Sequence, residues 1–182
     1  MKNVAGNWTI APIYTFQTGQ WVTAQSGVDS NLNGDSAGDR PVWNAQGQSG
    51  VGSGVTALHN TAGDTVAYLA DNPNARYIVA GAGALSTTGR NTMQIRPIDN
   101  IDMTVAKSIS ITERYKVQFQ VQAFNLFNHA QYIGGYLNDV ASIGFTGTER
   151  SMLIPNNPLF NQPQSVFSSN PRNLQLALKI FF

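Results

Sequence analysis

The chain has 182 residues, a mass of 19.6 kDa and a formal net charge of +1. That size fits one domain, and the charge gives no footing for a nucleic-acid partner. Charged residues make up only 12% and cysteine is absent, which excludes disulfides, thiolate chemistry and Cys-bound metals.

Hydrophobic residues reach 42%, so composition does not make the chain disordered. Gln, Asn, Ser, Thr and Gly replace the missing charge. Such a balance suits a protein that meets lipid on one side and water on the other, and it also suits a secreted β-protein. No apolar run approaches the ~20 residues that a membrane helix needs. The opening "MKNVAGNWTI" has no apolar core of a signal peptide. If the chain works outside the cytoplasm, the expectation is that a segment precedes it and that Met1 is an internal or miscalled start.

The first predicted strand is "NWTIAPIYTFQTG". Trp8, Ile10, Tyr14 and Phe16 share a face. Pro12 falls on that face and removes one ladder donor, which predicts an edge or a bulge there. A long segment rich in Gly, Asn, Ser and Pro follows, from about Gly19 to Arg96. Loops of such length usually mean function or disorder.

Within it, "DSNLNGDSAGDR" is the best candidate site. Asp29, Asn31, Asn33 and Asp35 stand at alternate positions, with Gly34 between the last two and Asp39 following. Oxygen ligands at that spacing, with a glycine for the turn, resemble the start of a calcium loop. The twelfth position, which should be a bidentate Glu, is Arg40, so the pattern fails at its end. Turn chemistry of Asn, Asp and Gly explains the same residues without a metal. "GVGSGV", from Gly50 to Val55, lacks the Lys and helix of a phosphate cradle and reads as flexible loop.

The next strand is "NIDMTVAKSISI". Ile101, Met103, Val105, Ile109 and Ile111 alternate with Asp102, Thr104, Ala106, Ser108 and Ser110. Lys107 falls on the apolar phase near one end, where it can snorkel to an interface. Thr112 to Arg114 make a tight hairpin into "RYKVQFQVQAF". There Tyr115, Val117, Phe119, Val121 and Ala123 take one face, and Lys116, Gln118, Gln120 and Gln122 the other. Three glutamines and a lysine in a row suit a wet lumen better than a thin solvated edge. The phase flips after Ala123, which predicts a bulge or the strand's end.

A second long segment runs from about Asn128 to Pro171. The chain then closes on "NLQLALKIFF", with Leu174, Leu176, Leu178, Ile180 and Phe182 against Gln175, Ala177 and Lys179. Nine or ten alternating residues match a tilted transmembrane strand. The layout is strand, long loop, strand, short turn, strand, long loop, strand. Long connections on one side and short ones on the other match an outer-membrane barrel. On that layout Trp8, Tyr115 and Phe182 lie near periplasmic strand ends, where aromatic girdles sit. The predicted fold is therefore all-β: antiparallel up-and-down strands of a transmembrane β-barrel, a partial barrel of about four strands with long extracellular loops.

These stretches carry a resemblance. "NWTIAPIYTFQTGQWVT", "SGVDSNLNGDSAGDRP", "YLADNPNARYIVAGAGALSTTGRNT", "FQVQAFNLFNHAQY" and "NPRNLQLALKIFF" resemble the C-terminal part of a TonB-dependent outer-membrane transporter of the Oar-like type. "FNLFNHAQY" followed by a loop and a final strand ending in Phe is the most specific combination. The resemblance implies substrate import across the bacterial outer membrane. It implies lipid and the barrel-assembly machinery as partners, with TonB acting through a plug domain that these residues do not include. Leu174, Leu176, Leu178, Ile180 and Phe182 would be the assembly signal read in the last strand. Asp102, Thr104, Lys116, Gln118, Gln120, Gln122, Gln175 and Lys179 would face the lumen. Four strands are far short of the ~22 of a transporter barrel, so the expectation is a segment of a longer protein.

The alternative is a stand-alone secreted β-domain whose long loops bind calcium, glycan or another surface. A hydrolase using His59 or His129 lacks any catalytic constellation. No enzyme activity is expected, and calcium is the sole cofactor for which the sequence offers a candidate.

Overall fold

The computed structural model describes residues 5–36, 38–132 and 148–182. In chain order its elements are β1 (Trp8–Gln17), β2 (Trp21–Val22), β3 (Val42–Trp43), β4 (Gln48–Ser53), β5 (Val55–His59), β6 (Thr65–Ala70), β7 (Ala75–Ile78), β8 (Met93–Gln94), β9 (Ile98–Ser110), β10 (Lys116–Phe124), α1 (Thr148–Ser151), α2 (Pro163–Val166) and β11 (Asn173–Phe181). Among the described residues no helix is long and apolar enough to cross a membrane.

These elements divide into two compact units. The sheet unit holds residues 5–18, 97–132 and 169–182; the insert unit holds residues 19–36, 38–96 and 148–168.

The sheet unit is one four-stranded sheet in the order β1-β9-β10-β11, antiparallel throughout and, among the described residues, open at both edges. All four long predicted strands are present. Their β-branched, aromatic and leucine residues alternate with small or polar ones, the pattern of a pleated surface with two different faces. Pro12 sits on the edge strand β1 opposite Met103, in an unbroken register. Of the two expectations for it, the edge is the one observed. The hairpin between β9 and β10 closes tightly. Ile111 and Thr112 N–H both donate to the Tyr115 carbonyl, at 3.0 and 3.2 Å. The Thr112 hydroxyl accepts from the Arg114 and Tyr115 N–H groups at 3.3 and 3.0 Å. The phase flip after Ala123 is the end of a strand: β10 stops at Phe124, and Asn125 turns left-handed with φ 52°.

The insert unit departs from the expectation of long loops. Its first segment contains seven short strands, β2 to β8, paired as β2-β8, β3-β7-β4 and β5-β6. One pairing, β4 with β7, is parallel, with a register shift between Gln48 and Gly52. "GVGSGV", expected to be flexible, forms the end of β4 and the start of β5. A Cβ on Gly52 would lie 2.4 Å from the Pro155 carbonyl oxygen and 2.7 Å from the Phe160 ring. Glycine is there because another segment of backbone packs directly on it.

The core of this unit is Val22, Ala24, Tyr77, Met93, Met152, Leu153 and Phe160. The Tyr77 ring stands edge-on between Trp43, at 5.3 Å, and Phe160, at 5.6 Å. Its hydroxyl donates to the Thr92 carbonyl at 2.7 Å. Burial pushes the Tyr77 phenol above its ordinary value, while the nearby Arg76 charge pulls the other way. Arg76 stacks over Trp43 at 5.1 Å and donates twice to the Gly47 carbonyl, at 2.9 and 2.7 Å.

Candidate functional site: a two-faced sheet and its terminal knot

Strand register decides which side chains stand together, because residues directly opposite share a face. One row reads Ile10, Val105, Val121 and Leu176 across the sheet. Neighbouring rows on that face read Pro12, Met103, Ala123 and Leu174, then Trp8, Lys107, Phe119 and Leu178, then Ile109, Val117 and Ile180. The face is apolar across all four strands, yet it is not covered: Leu176 is 67% exposed and Leu178 66%. Lys107 interrupts it near the hairpin end. The Lys107 ammonium donates to the Gly6 carbonyl and lies 4.9 Å from the Trp8 ring centre. Trp8, Tyr115 and Phe182 all fall toward that end of the sheet, and Phe182 is 90% exposed.

The opposite face gathers Asp102, Thr104, Lys116, Gln118, Gln120, Gln122, Gln175 and Lys179. Their rows are Thr104-Gln122-Gln175, Ala106-Gln120-Ala177 and Ser108-Gln118-Lys179. The glutamines bridge strands. Gln118 Nε2 donates to Ser108 Oγ and Gln122 Nε2 to Thr104 Oγ1, each at 3.3 Å. Lys179 Nζ donates diagonally to Gln120 Oε1 at 2.8 Å. Apolar side chains also reach this face: Ile13 opposite Asp102, and Phe181 opposite Lys116.

At the other end of β10 lies a polar knot whose parts the sequence showed without their roles. Asn125 is buried, 2% exposed. Its N–H donates to Asp102 Oδ1 at 2.9 Å, which ties it to β9. Its side-chain amide donates to the carbonyls of His129 and Asn170, and its Oδ1 accepts from the His129 N–H. Asn128 Oδ1 accepts from the Arg172 N–H at 3.0 Å, just ahead of β11. Gln131 hydrogen-bonds both the N–H and the carbonyl of Asp99. The "FNLFNHAQY" stretch thus locks the ends of β9 and β10 to the entry of β11. Its signal in sequence was two asparagines after a strand; Asn tolerates the left-handed turn and can donate and accept at once. His129 takes part through its backbone.

The loop at Asp29–Asp39 turns its oxygens inward. Asp29 accepts from Asn33 N–H at 3.0 Å and Gly34 N–H at 2.8 Å. Asn31 Oδ1 accepts from Asn33 N–H, and Asn33 Oδ1 from Asp35 N–H at 2.8 Å. Asp39 is buried and takes Ser30 N–H at 2.7 Å and Asn31 Nδ2 at 2.6 Å. This is a chain of side-chain-to-backbone turns that fixes the loop by itself. Among the described residues no group of three or more His, Cys, Asp or Glu side chains could hold a metal ion. His59 is exposed, and its ring lies 3.3 Å from the Thr65 hydroxyl.

A family model described as outer membrane beta barrel domain matches residues 1–175. The chain belongs to this family. No curated protein and no solved structure matches it. Membership places the protein in the bacterial outer membrane and accounts for the sheet's two faces. An outer-membrane β-barrel domain carries an outward apolar band and a polar interior on alternate residues. A sheet that leaves Ile10, Phe119, Leu176 and Leu178 uncovered is costly in water; in a bilayer that cost disappears. The four strands do not close on themselves, and β1 and β11 remain edges among the described residues.

Proposed function

We propose that this outer-membrane β-barrel domain is the C-terminal wall segment of a TonB-dependent transporter. In this reading the apolar face meets lipid. The eight polar residues from Asp102 to Lys179 face the lumen, water and passing substrate. The insert unit stands on the extracellular side, and TonB acts through a plug to be sought upstream. The last strand, with Leu174, Leu176, Leu178, Ile180 and Phe182, is the segment read by the barrel-assembly machinery. No step of catalysis is assigned to the chain.

The observation that carries the reading is the register, which gives four adjoining strands one apolar and one amide-rich face. The resemblance of the loop and "FNLFNHAQY" stretches supports the transporter over a simple pore. The test is the native product. Outer membranes from the source cells are separated by size, and the peptide "YKVQFQVQAFNLFNHAQYIGG" is located by mass spectrometry. Chemical cross-linking then asks whether the same band captures TonB. A band far heavier than 19.6 kDa that cross-links to TonB is the expected result. A band near that mass, or a heavy one never captured with TonB, overturns the transporter reading and leaves the barrel intact.

A further inference from the structure

The insert unit carries two adjoining cavities of about 290 and 220 Å³ that share Met93, Gln94 and Asn161 in their walls. Together they fall in the ~300–1,000 Å³ range of small-ligand sites. Trp21 forms one wall, and the residue is 54% exposed. Trp21 stands directly opposite Gln94 across the β2-β8 pair, so indole and amide lie side by side on one face.

The polar groups around the larger cavity are uncharged and have capacity to spare, and Arg96 stands in the wall of the smaller one. Gln94 Nε2 donates to the Gly19 carbonyl at 3.2 Å, and its Oε1 has no partner among the described residues. Asn161 Nδ2 donates to the Gly50 carbonyl at 3.3 Å, and its Oδ1 is likewise unpartnered. The Thr92 hydroxyl, in the wall of the larger cavity, makes no hydrogen bond among the described residues. Asn161 is held in the left-handed region at φ 54°, and Gly50 faces it at φ 74°. A Cβ on Gly50 would lie 2.5 Å from Asn161 Nδ2. The backbone is therefore bent, and Gly50 bare, so that this amide can sit where it does.

In the larger cavity an exposed indole is flanked by amide and hydroxyl groups with no charged side chain in the wall, and Arg96 in the smaller one adds N–H donors; this fits one ligand chemistry well. A neutral sugar has an apolar C–H face for the ring and hydroxyls that both donate and accept. We infer that the Trp21-Gln94-Asn161 cleft is a binding site for a neutral oligosaccharide. The inference rests on the proposed extracellular placement of the insert unit, where such glycans are met before import.

The test uses the full-length protein in amine-oxide detergent, which brings no sugar headgroup. Tryptophan emission is followed during titration with cellohexaose, maltohexaose and mannohexaose. At least one should give a saturable change. Trp21→Ala should weaken that binding at least tenfold and Asn161→Asp at least threefold, whereas Trp8→Phe, on the other unit, should leave it unchanged. Heat-modifiable gel migration of each variant reports the barrel separately, so failure of the barrel and failure of the site are distinguishable. No saturable change with any of the three sugars, or binding indifferent to Trp21→Ala, overturns the site.

Discussion

The sheet unit and the insert unit are built from similar strand chemistry and solve opposite problems. The sheet unit has long strands and leaves its apolar side chains uncovered. The insert unit has strands of two to six residues and hides a tyrosine, a phenylalanine and two methionines in a small core. Only one of the two has to be stable against water by its own packing. In the sheet unit, hydrogen bonds between long strands satisfy the backbone while lipid receives the apolar face. In the insert unit, burial and edge-on ring contacts do the work. A substitution should therefore damage one unit and spare the other.

The largest separation should come from Phe160→Ala. Removing a ring packed on Tyr77 and Gly52 should cost about 3–5 kcal/mol. Protease cleavage within residues 19–96 should rise sharply, while heat-modifiable migration of the barrel stays normal. Loss of both together would mean that the units do not fold independently. The converse change is Leu176→Arg. At a lipid-facing position near the bilayer middle it should cost about 2–4 kcal/mol and prevent membrane insertion, measured as the fraction resistant to urea extraction. Normal insertion would contradict a lipid-facing row through Ile10, Val105, Val121 and Leu176.

Asn125→Ala should come next. It strips three side-chain hydrogen bonds from the knot and leaves the carbonyls of His129 and Asn170 without their donor, a cost of about 1–3 kcal/mol. Its N–H survives, so the loss falls on the side-chain contacts. The expected readout is faster hydrogen exchange at the ends of β9 and β10, with the middle of the sheet unaltered. Tyr77→Phe should be milder, about 1 kcal/mol for the bond to Thr92. The raised Tyr77 phenol adds a pH signature. Folding favours its protonated form, so its contribution is intact below pH 10 and falls as the pH rises above it. Cleavage of the insert unit should increase above that pH in the native protein, and Tyr77→Phe should remove this component. Smallest of all is Gln118→Glu, on the polar face, where a change within about 0.5 kcal/mol and normal insertion are expected. Serious damage there would move the water-facing surface to the other side of the sheet.

The two units also differed in how far they could be read from sequence. Strict alternation over nine or more residues gave β9, β10 and β11 nearly to their ends, because a two-faced strand needs no knowledge of its neighbours. Pro12 suggested an edge, and β1 is one. The insert unit gave no such signal. Its core residues come from far-apart places: Val22, Tyr77 and Met93 on strands too short to show a period, Met152 and Phe160 in turns. Its glycines looked like flexibility and prove to be points of close contact, as at Gly50 and Gly52. The candidate calcium loop was visible as spacing alone. What spacing could not show is that Asp29, Asn31, Asn33 and Asp39 accept hydrogen bonds from the loop's own N–H groups.

By itself, then, the sequence determined the strands of the sheet unit, their two faces and the hairpin at Thr112, since each follows from neighbours a few residues away. Tertiary structure alone decided which strands adjoin, which rows of side chains cross the sheet, how Asn125 ties three chain segments together, and that the long insertion folds around Tyr77. Those depend on contacts between residues as far apart in the chain as Gln25 and Arg150, and local periodicity carries no information about such contacts.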